Sequence, residues 1–160
     1  MTRTLVLVRH ATAEQFGPSD QERPLTDRGR LDAAAAGHAL VEAGINPDQL
    51  LVSTALRTRE TAAGILTAAG WEIEPCFDST LYDAGPETVL ELLHALPEAT
   101  TTVVVVGHNP TMALTAHLLD DGSGVPLGEF GTSAIAIFEI DEPWADLDAG
   151  TGRVRAFVSR

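Results

Sequence analysis

The feature that most constrains this chain is a pair of unbroken apolar runs, each ending at a histidine. The first is Thr4-Leu5-Val6-Leu7-Val8, followed at once by Arg9-His10. The second is Thr101-Thr102-Val103-Val104-Val105-Val106, followed by Gly107-His108-Asn109-Pro110. Neither run alternates apolar with polar residues. Such strands need cover on both faces, the habit of a parallel sheet between layers of helices. In open parallel sheets ligands bind at the carboxyl ends of the strands. Both histidines therefore fall on the edge where a site is expected.

The rest of the chain supplies the layers. A polar loop over 11–26, with Gly17, Pro18, Ser19, Asp20 and Pro24, is long enough to suggest function. Thr26 reads as the N-cap of a helix from about Asp27 to Ala43, with Leu31, Ala34, Ala35, His38 and Val41 on its buried face. Leu50-Leu51-Val52 is a short strand, and a helix begins within 53–61 and runs to about Ala69, where Gly70 ends it. Trp71 to Pro75 reads as an edge strand, and Leu81 to Gly85 as a loop. Glu87 to Ala95 reads as a helix with Val89, Leu92, Leu93 and Leu96 inward. Pro110 opens a helix carrying Met112, Leu114, Thr115, Leu118 and Leu119. Ser133 to Ile140 and Arg153 to Val158 read as two strands of one hairpin. Strands alternating with helices predict an α/β fold: a single three-layer domain over 1–160, with a mostly parallel sheet and helices on both faces. Its 160 residues suffice for one core.

Charge narrows the partners. A net charge of −13 opposes non-specific binding to nucleic acid or to an anionic membrane. No apolar run approaches the roughly 20 residues of a membrane span. Cys76 is the sole cysteine, so no intramolecular disulfide forms, and no histidine stands beside it to activate it. The expectation is a cytoplasmic monomer.

The chemistry follows from what stands at the strand ends. Arg9 and Arg57 each follow a strand, and Arg23 lies in the long loop. Guanidinium forks match phosphate oxygens and stay charged at any useful pH. A neutral His10 could attack phosphorus through one ring nitrogen if the other is held by an acceptor such as a carbonyl. His108 could donate to the transferring group. Helix starts near Arg57 and after Pro110 could add backbone N–H groups. No carboxylate or cysteine cluster accompanies the two histidines, so neither metal nor cofactor is expected. His38, His94 and His117 lie inside predicted helices and read as structural or solvated. These residues point to a phosphatase with a histidine nucleophile.

At these positions the chain resembles the histidine phosphatase superfamily, whose signature is Arg-His-Gly, and within it the small SixA-type phosphohistidine phosphatases. The matching pieces are Leu7-Val8-Arg9-His10, Arg23-Pro24-Leu25-Thr26 with Gly29, Val52-Ser53 with Arg57 and Glu60-Thr61-Ala62, Val106-Gly107-His108-Asn109-Pro110, and Thr132-Ser133-Ala134-Ile135-Ala136. The resemblance implies the phosphoglycerate mutase-like fold. It implies His10 as nucleophile, Arg9, Arg57 and His108 around the phosphate, and Arg23 as a further contact. Ala11 stands where the signature has glycine, a small change if its backbone keeps φ below zero. Relatives that cleave phosphate esters carry an acid in the segment matching Leu81-Tyr82-Asp83, which makes Asp83 the candidate general acid and Glu87 the second.

The leaving group separates the readings. An alkoxide needs a proton donor, worth about 10²–10⁴-fold, whereas a phosphohistidine leaves as an imidazole that can already carry its proton. From Leu81 to Thr102 the chain is mostly one helix, with little left for a lid, which suits phosphohistidine displayed on a protein. The alternatives are a small-molecule phosphomonoesterase using Asp83, a phosphate-binding module without turnover, and a phosphoglycerate mutase, for which the chain has too little enclosure.

Overall fold

The two apolar runs become the two central strands. In the computed structural model, which describes residues 1–159, the strands are β1 (Arg3–Arg9), β2 (Gln49–Ser53), β3 (Cys76–Asp78), β4 (Thr102–Gly107), β5 (Ile135–Ile140) and β6 (Gly152–Val158). The helices are α1 (Asp27–Glu42), α2 (Leu56–Ala69), α3 (Pro86–His94) and α4 (Thr111–Leu119). One sheet holds all six strands in the order β3-β2-β4-β1-β5-β6. The first four are mutually parallel, and β5 and β6 are antiparallel additions at the far edge.

Leu5, Val6, Leu7 and Val8 are fully buried, each stabilising the fold by about 1.5–3 kcal/mol relative to exposure. Their pleat divides the core. Leu5 and Leu7 join Val103 and Val105 against Val89 and Leu93 of α3 and Met112 and Leu119 of α4. Val6 and Val8 join Val104 and Val106 against Ala36 and Leu40 of α1 and Ala62 and Ile65 of α2. The sheet is thus the middle of three layers.

Three local expectations are corrected. The buried face of α1 is Gly29, Ala33, Ala36, Gly37 and Leu40, while Leu31 is 67% and Val41 48% exposed. The expected face followed side-chain size; the real one follows close approach. A Cβ on Gly37 would lie 2.8 Å from Ile65 O, and one on Gly64 would lie 2.8 Å from the Ala33 Cβ. The edge strand is Cys76–Asp78, not Trp71 to Pro75. Pro75 has no N–H for the ladder, and pairing with β2 begins only after it, at Leu51 opposite Cys76. Finally, β5 starts at Ile135 rather than Ser133, because Ser133 has φ 57°, outside the strand region.

Candidate active site

Register brings the histidines together. β1 and β4 run in parallel with Arg9 opposite Gly107, so His10 and His108 are the next residues of adjacent strands. The His10 N–H donates to Gly107 O at 3.0 Å, and the two imidazole centroids are 5.4 Å apart. β2 lies on the other side of β4, with Val52 opposite Val106. Ser53 therefore reaches His108, its Oγ 2.8 Å from Nε2. Two turns of chain separated by almost a hundred residues meet because three strands share one ladder.

Around them lies a cleft of about 440 Å³ lined by Arg9, His10, Thr12, Ala13, Asp20, Arg23, Arg57, Tyr82, Asp83, His108, Asn109 and Thr132. Six of the seven site residues singled out in the sequence, Arg9, His10, Arg23, Arg57, Asp83 and His108, are among them. Glu87 is not; it lines a separate apolar groove between α3 and α4. His117 lines that same groove, His38 another between α1 and α2, and His94 bonds Leu147 O at 2.7 Å.

Each side chain has a local reason for its place. The His10 Nδ1 lies 2.7 Å from Ala11 O. A carbonyl only accepts, so this bond puts the ring proton on Nδ1 and the lone pair on Nε2. Ser133 holds His10 from behind, its N–H donating to His10 O at 3.0 Å from a left-handed backbone. Ala11 itself has no positive φ. It is buried, and its N–H donates to Thr61 Oγ1 at 3.0 Å. Thr61 Oγ1 in turn donates to Arg57 O at 2.7 Å, tying the His10 loop to the first turn of α2. Gly29 lets α1 approach the same loop: a Cβ there would lie 2.1 Å from Thr12 O. The Arg9 Nη1 and Asn109 Nδ2 both donate to Phe130 O, at 3.2 and 2.7 Å.

Burial and charge make the histidines neutral. His10 is lowered to about 4, first by burial and then by Arg57, Arg9 and Arg23, against the opposing bond to Ala11 O. His108 is lowered to about 3 by burial, by His10 and by Arg57. Among the described residues the buried Nε groups of Arg9 and Arg57, like that of Arg3 outside the cleft, have no hydrogen-bond partner. An unpaired buried donor costs about 1–3 kcal/mol, so a protein that retains two at one cleft gains from an acceptor there.

Two cleft residues escaped the sequence reading. Asp20 accepts at Oδ1 from Arg23 Nε at 3.0 Å and at Oδ2 from Arg57 Nη2 at 3.2 Å and from the Tyr82 hydroxyl. The Tyr82 ring stacks edge-on against His108 at 5.6 Å and lies under the Arg57 guanidinium. The length of the 11–26 loop and the spacing of Asp20 three residues before Arg23 were the available signals. The first N–H of α2 is not free for a ligand either: Leu56 N donates to Gln21 O at 2.8 Å.

Residues 5–84 match the model of the histidine phosphatase superfamily (branch 1). The chain belongs to that superfamily. Over 158 residues it is 34% identical to the uncharacterized protein MT1313 of Mycobacterium tuberculosis, covering 94% of this chain and 98% of that one. Its fold superposes with a TM-score of 0.87 and 31% identity on a protein of Nakamurella multipartitia assigned as a SixA phosphohistidine phosphatase, covering 99% of this chain and 96% of that one. It also superposes, with a TM-score of 0.81 and 25% identity over 98% of this chain and 96% of that one, on the protein histidine phosphatase SixA complexed with tungstate. As a histidine phosphatase, the chain carries its superfamily's Arg-His pair at Arg9-His10, with Ala11 where the signature has glycine.

Proposed function

We propose that this phosphatase works through a phosphohistidine intermediate on His10 and removes phosphate from phosphohistidine displayed on a protein. The observation that carries the reading is the His10 ring: Nδ1 is held by Ala11 O at 2.7 Å, the ring is neutral above about pH 4, and Nε2 keeps its lone pair. In this reading Nε2 attacks phosphorus while Arg9, Arg57 and Arg23 hold the phosphoryl oxygens. His108 donates to the same group, the Ser53 hydroxyl fixing its ring. Water then displaces phosphate from Nε2. Developing charge meets guanidinium groups in a largely desolvated floor, where such contacts are worth most.

Three things support the substrate. The candidate general acid, Asp83, is exposed on the rim of the cleft. The loop walling the cleft exposes Phe16 (84%) in an adjoining groove that shares Asp20 and Arg23 with the cleft, apolar surface within reach of a protein substrate. The SixA relative binds tungstate, a tetrahedral oxyanion, on the same fold. The test is to incubate the protein with a 32P-phosphohistidine protein and with a panel of phosphate esters. Faster release from the phosphohistidine protein is expected, and faster loss of ester phosphate would overturn the substrate. Label trapped on denatured wild type and absent from His10→Ala would support the intermediate.

A second reading, a phosphomonoesterase using Asp83 as general acid, is favoured by one observation: Asp83 does line the cleft.

A further inference from the structure

We propose that Asp20 is a specificity-determining residue, a fixed carboxylate at the cleft mouth that accepts a hydrogen bond from the protonated distal nitrogen of a phosphorylated imidazole and so tunes the site toward phosphorus–nitrogen bonds. The inference rests on the phosphatase reading above and deepens it.

The geometry makes Asp20 more than a brace. Its main-chain carbonyl already accepts from Arg57 Nη1 at 2.8 Å, which orients that guanidinium without any side chain. The carboxylate adds a negative charge to a cleft otherwise arranged for an anion. It is pinned from three sides, by Arg23, Arg57 and Tyr82. Its side chain is 56% exposed, whereas that of Arg57 is 8% exposed. Asp20 therefore stands on the solvent side of the phosphate-holding arginine, where substrate enters and the leaving group departs. The Tyr82 hydroxyl, then the arginines, hold its carboxyl down at about 2. It is ionised at every working pH and has no proton to give.

A fixed negative charge at that point discriminates between leaving groups. With phosphohistidine, the distal imidazole nitrogen carries a proton and can donate it in a hydrogen bond to Asp20. The His10 Nε2 lone pair forms the new P–N bond, and the bond from phosphorus to the substrate nitrogen breaks. Its electron pair stays on that nitrogen. The leaving imidazole is neutral, because it keeps the distal proton, and needs no acid. His10 keeps its Nδ1 proton on Ala11 O. In the second step water oxygen attacks phosphorus, the Nε2 bond returns its pair to His10, and the water proton passes to phosphate or solvent. An ester would instead build alkoxide or phenolate charge beside a carboxylate. Asp83 is the other acid on the rim, and Arg23 the opposing cation.

The experiment compares wild type and Asp20→Asn on N-phosphoimidazole and on p-nitrophenyl phosphate, with inorganic phosphate as competitive inhibitor. Removing one charge near the arginines should cost about tenfold in kcat/KM on N-phosphoimidazole and lower its ratio to the aryl ester by about tenfold or more. Inorganic phosphate should inhibit the variant about tenfold more tightly. Equal losses on both substrates would make Asp20 a mere brace for Arg57 and overturn the proposal alone. A wild type inert on both substrates would overturn the phosphatase reading and the proposal with it.

Discussion

The floor and the rim of the cleft are built differently. The floor, with Arg9, His10, Arg57 and His108, hangs directly from strand ends and the first turn of α2, on backbone that the sheet register fixes. Arg57 and His108 there are buried, and Arg9 and His10 are half-buried. The rim, with Asp20, Arg23 and Asp83, comes from loops and is open to water. Charges in the floor act at low effective dielectric and with little screening; charges in the rim act weakly and over a distance. Under the proposed mechanism the difference gives bond making to the floor and choice of substrate to the rim, and substitutions on each side should separate accordingly.

The sharpest way to break this division is the proposed nucleophile. His10→Ala should lower turnover on every substrate by on the order of 10⁴-fold or more, since no other group can form the intermediate. Steady-state kinetics on a phosphohistidine substrate and an aryl phosphate would check it, and a modest, substrate-selective loss would erase the floor's special status. Next come the arginines. Arg57→Ala removes the buried donor proposed to hold the transferring group and should cost about 10²–10³-fold in kcat. Arg23→Ala removes a more exposed one and should cost about tenfold. If the two cost the same, depth does not matter and the comparison fails.

What could be read before the fold was known follows the same line. The floor was legible because β-branched runs announce strands, and strand ends announce a site. Arg9, His10, Arg57 and His108 needed no knowledge of loops. The register that puts His10 beside His108 was not visible, but two runs of similar length made it a natural expectation. Asp20 and Tyr82 were hidden because their partners are set by how the 11–26 loop folds back over α2, through contacts such as Leu56 N to Gln21 O. Nothing in local pattern encodes that. The helix α1 shows a second kind of blindness. Periodicity assigns bulk to the core, so Leu31 and Val41 were placed inward. Contact through Gly37 and Gly64 needs smallness, and a hydrophobic pattern does not score it.

Burial of the floor also predicts a pH dependence of stability. His10 and His108 titrate at about 4 and about 3 in the folded chain, against about 6.5 when unfolded. Between those values the unfolded chain binds more protons than the folded one, so stability rises with pH across this window. Acidification from pH 7 to 5 should therefore destabilise the protein by roughly 2 kcal/mol for each of these histidines. Denaturant titrations at several pH values would measure it. His10→Ala and His108→Asn should each remove about half of the slope. A slope that survives both floor substitutions would place its origin elsewhere. The same depression predicts that the acid limb of kcat/KM, corrected for substrate ionisation, falls near pH 4 rather than near 6.5.

The smallest expected effect is at Asp83, and it bears most directly on the choice between substrates. An acid that protonates an alkoxide must be held against the leaving oxygen, and removing it costs about 10²–10⁴-fold. Asp83 is exposed and follows a single 3₁₀ turn (Ser79–Leu81). Water has free access to the same place and can deliver a proton without it. Asp83→Asn should accordingly lower turnover of phosphohistidine, aryl and alkyl phosphates alike by less than about tenfold. The alkyl esters are the discriminating arm, because their leaving groups are the poorest. A loss of 10²-fold or more confined to them would draw one rim residue into bond breaking, and with it the case for a P–N substrate would give way to the phosphomonoesterase reading.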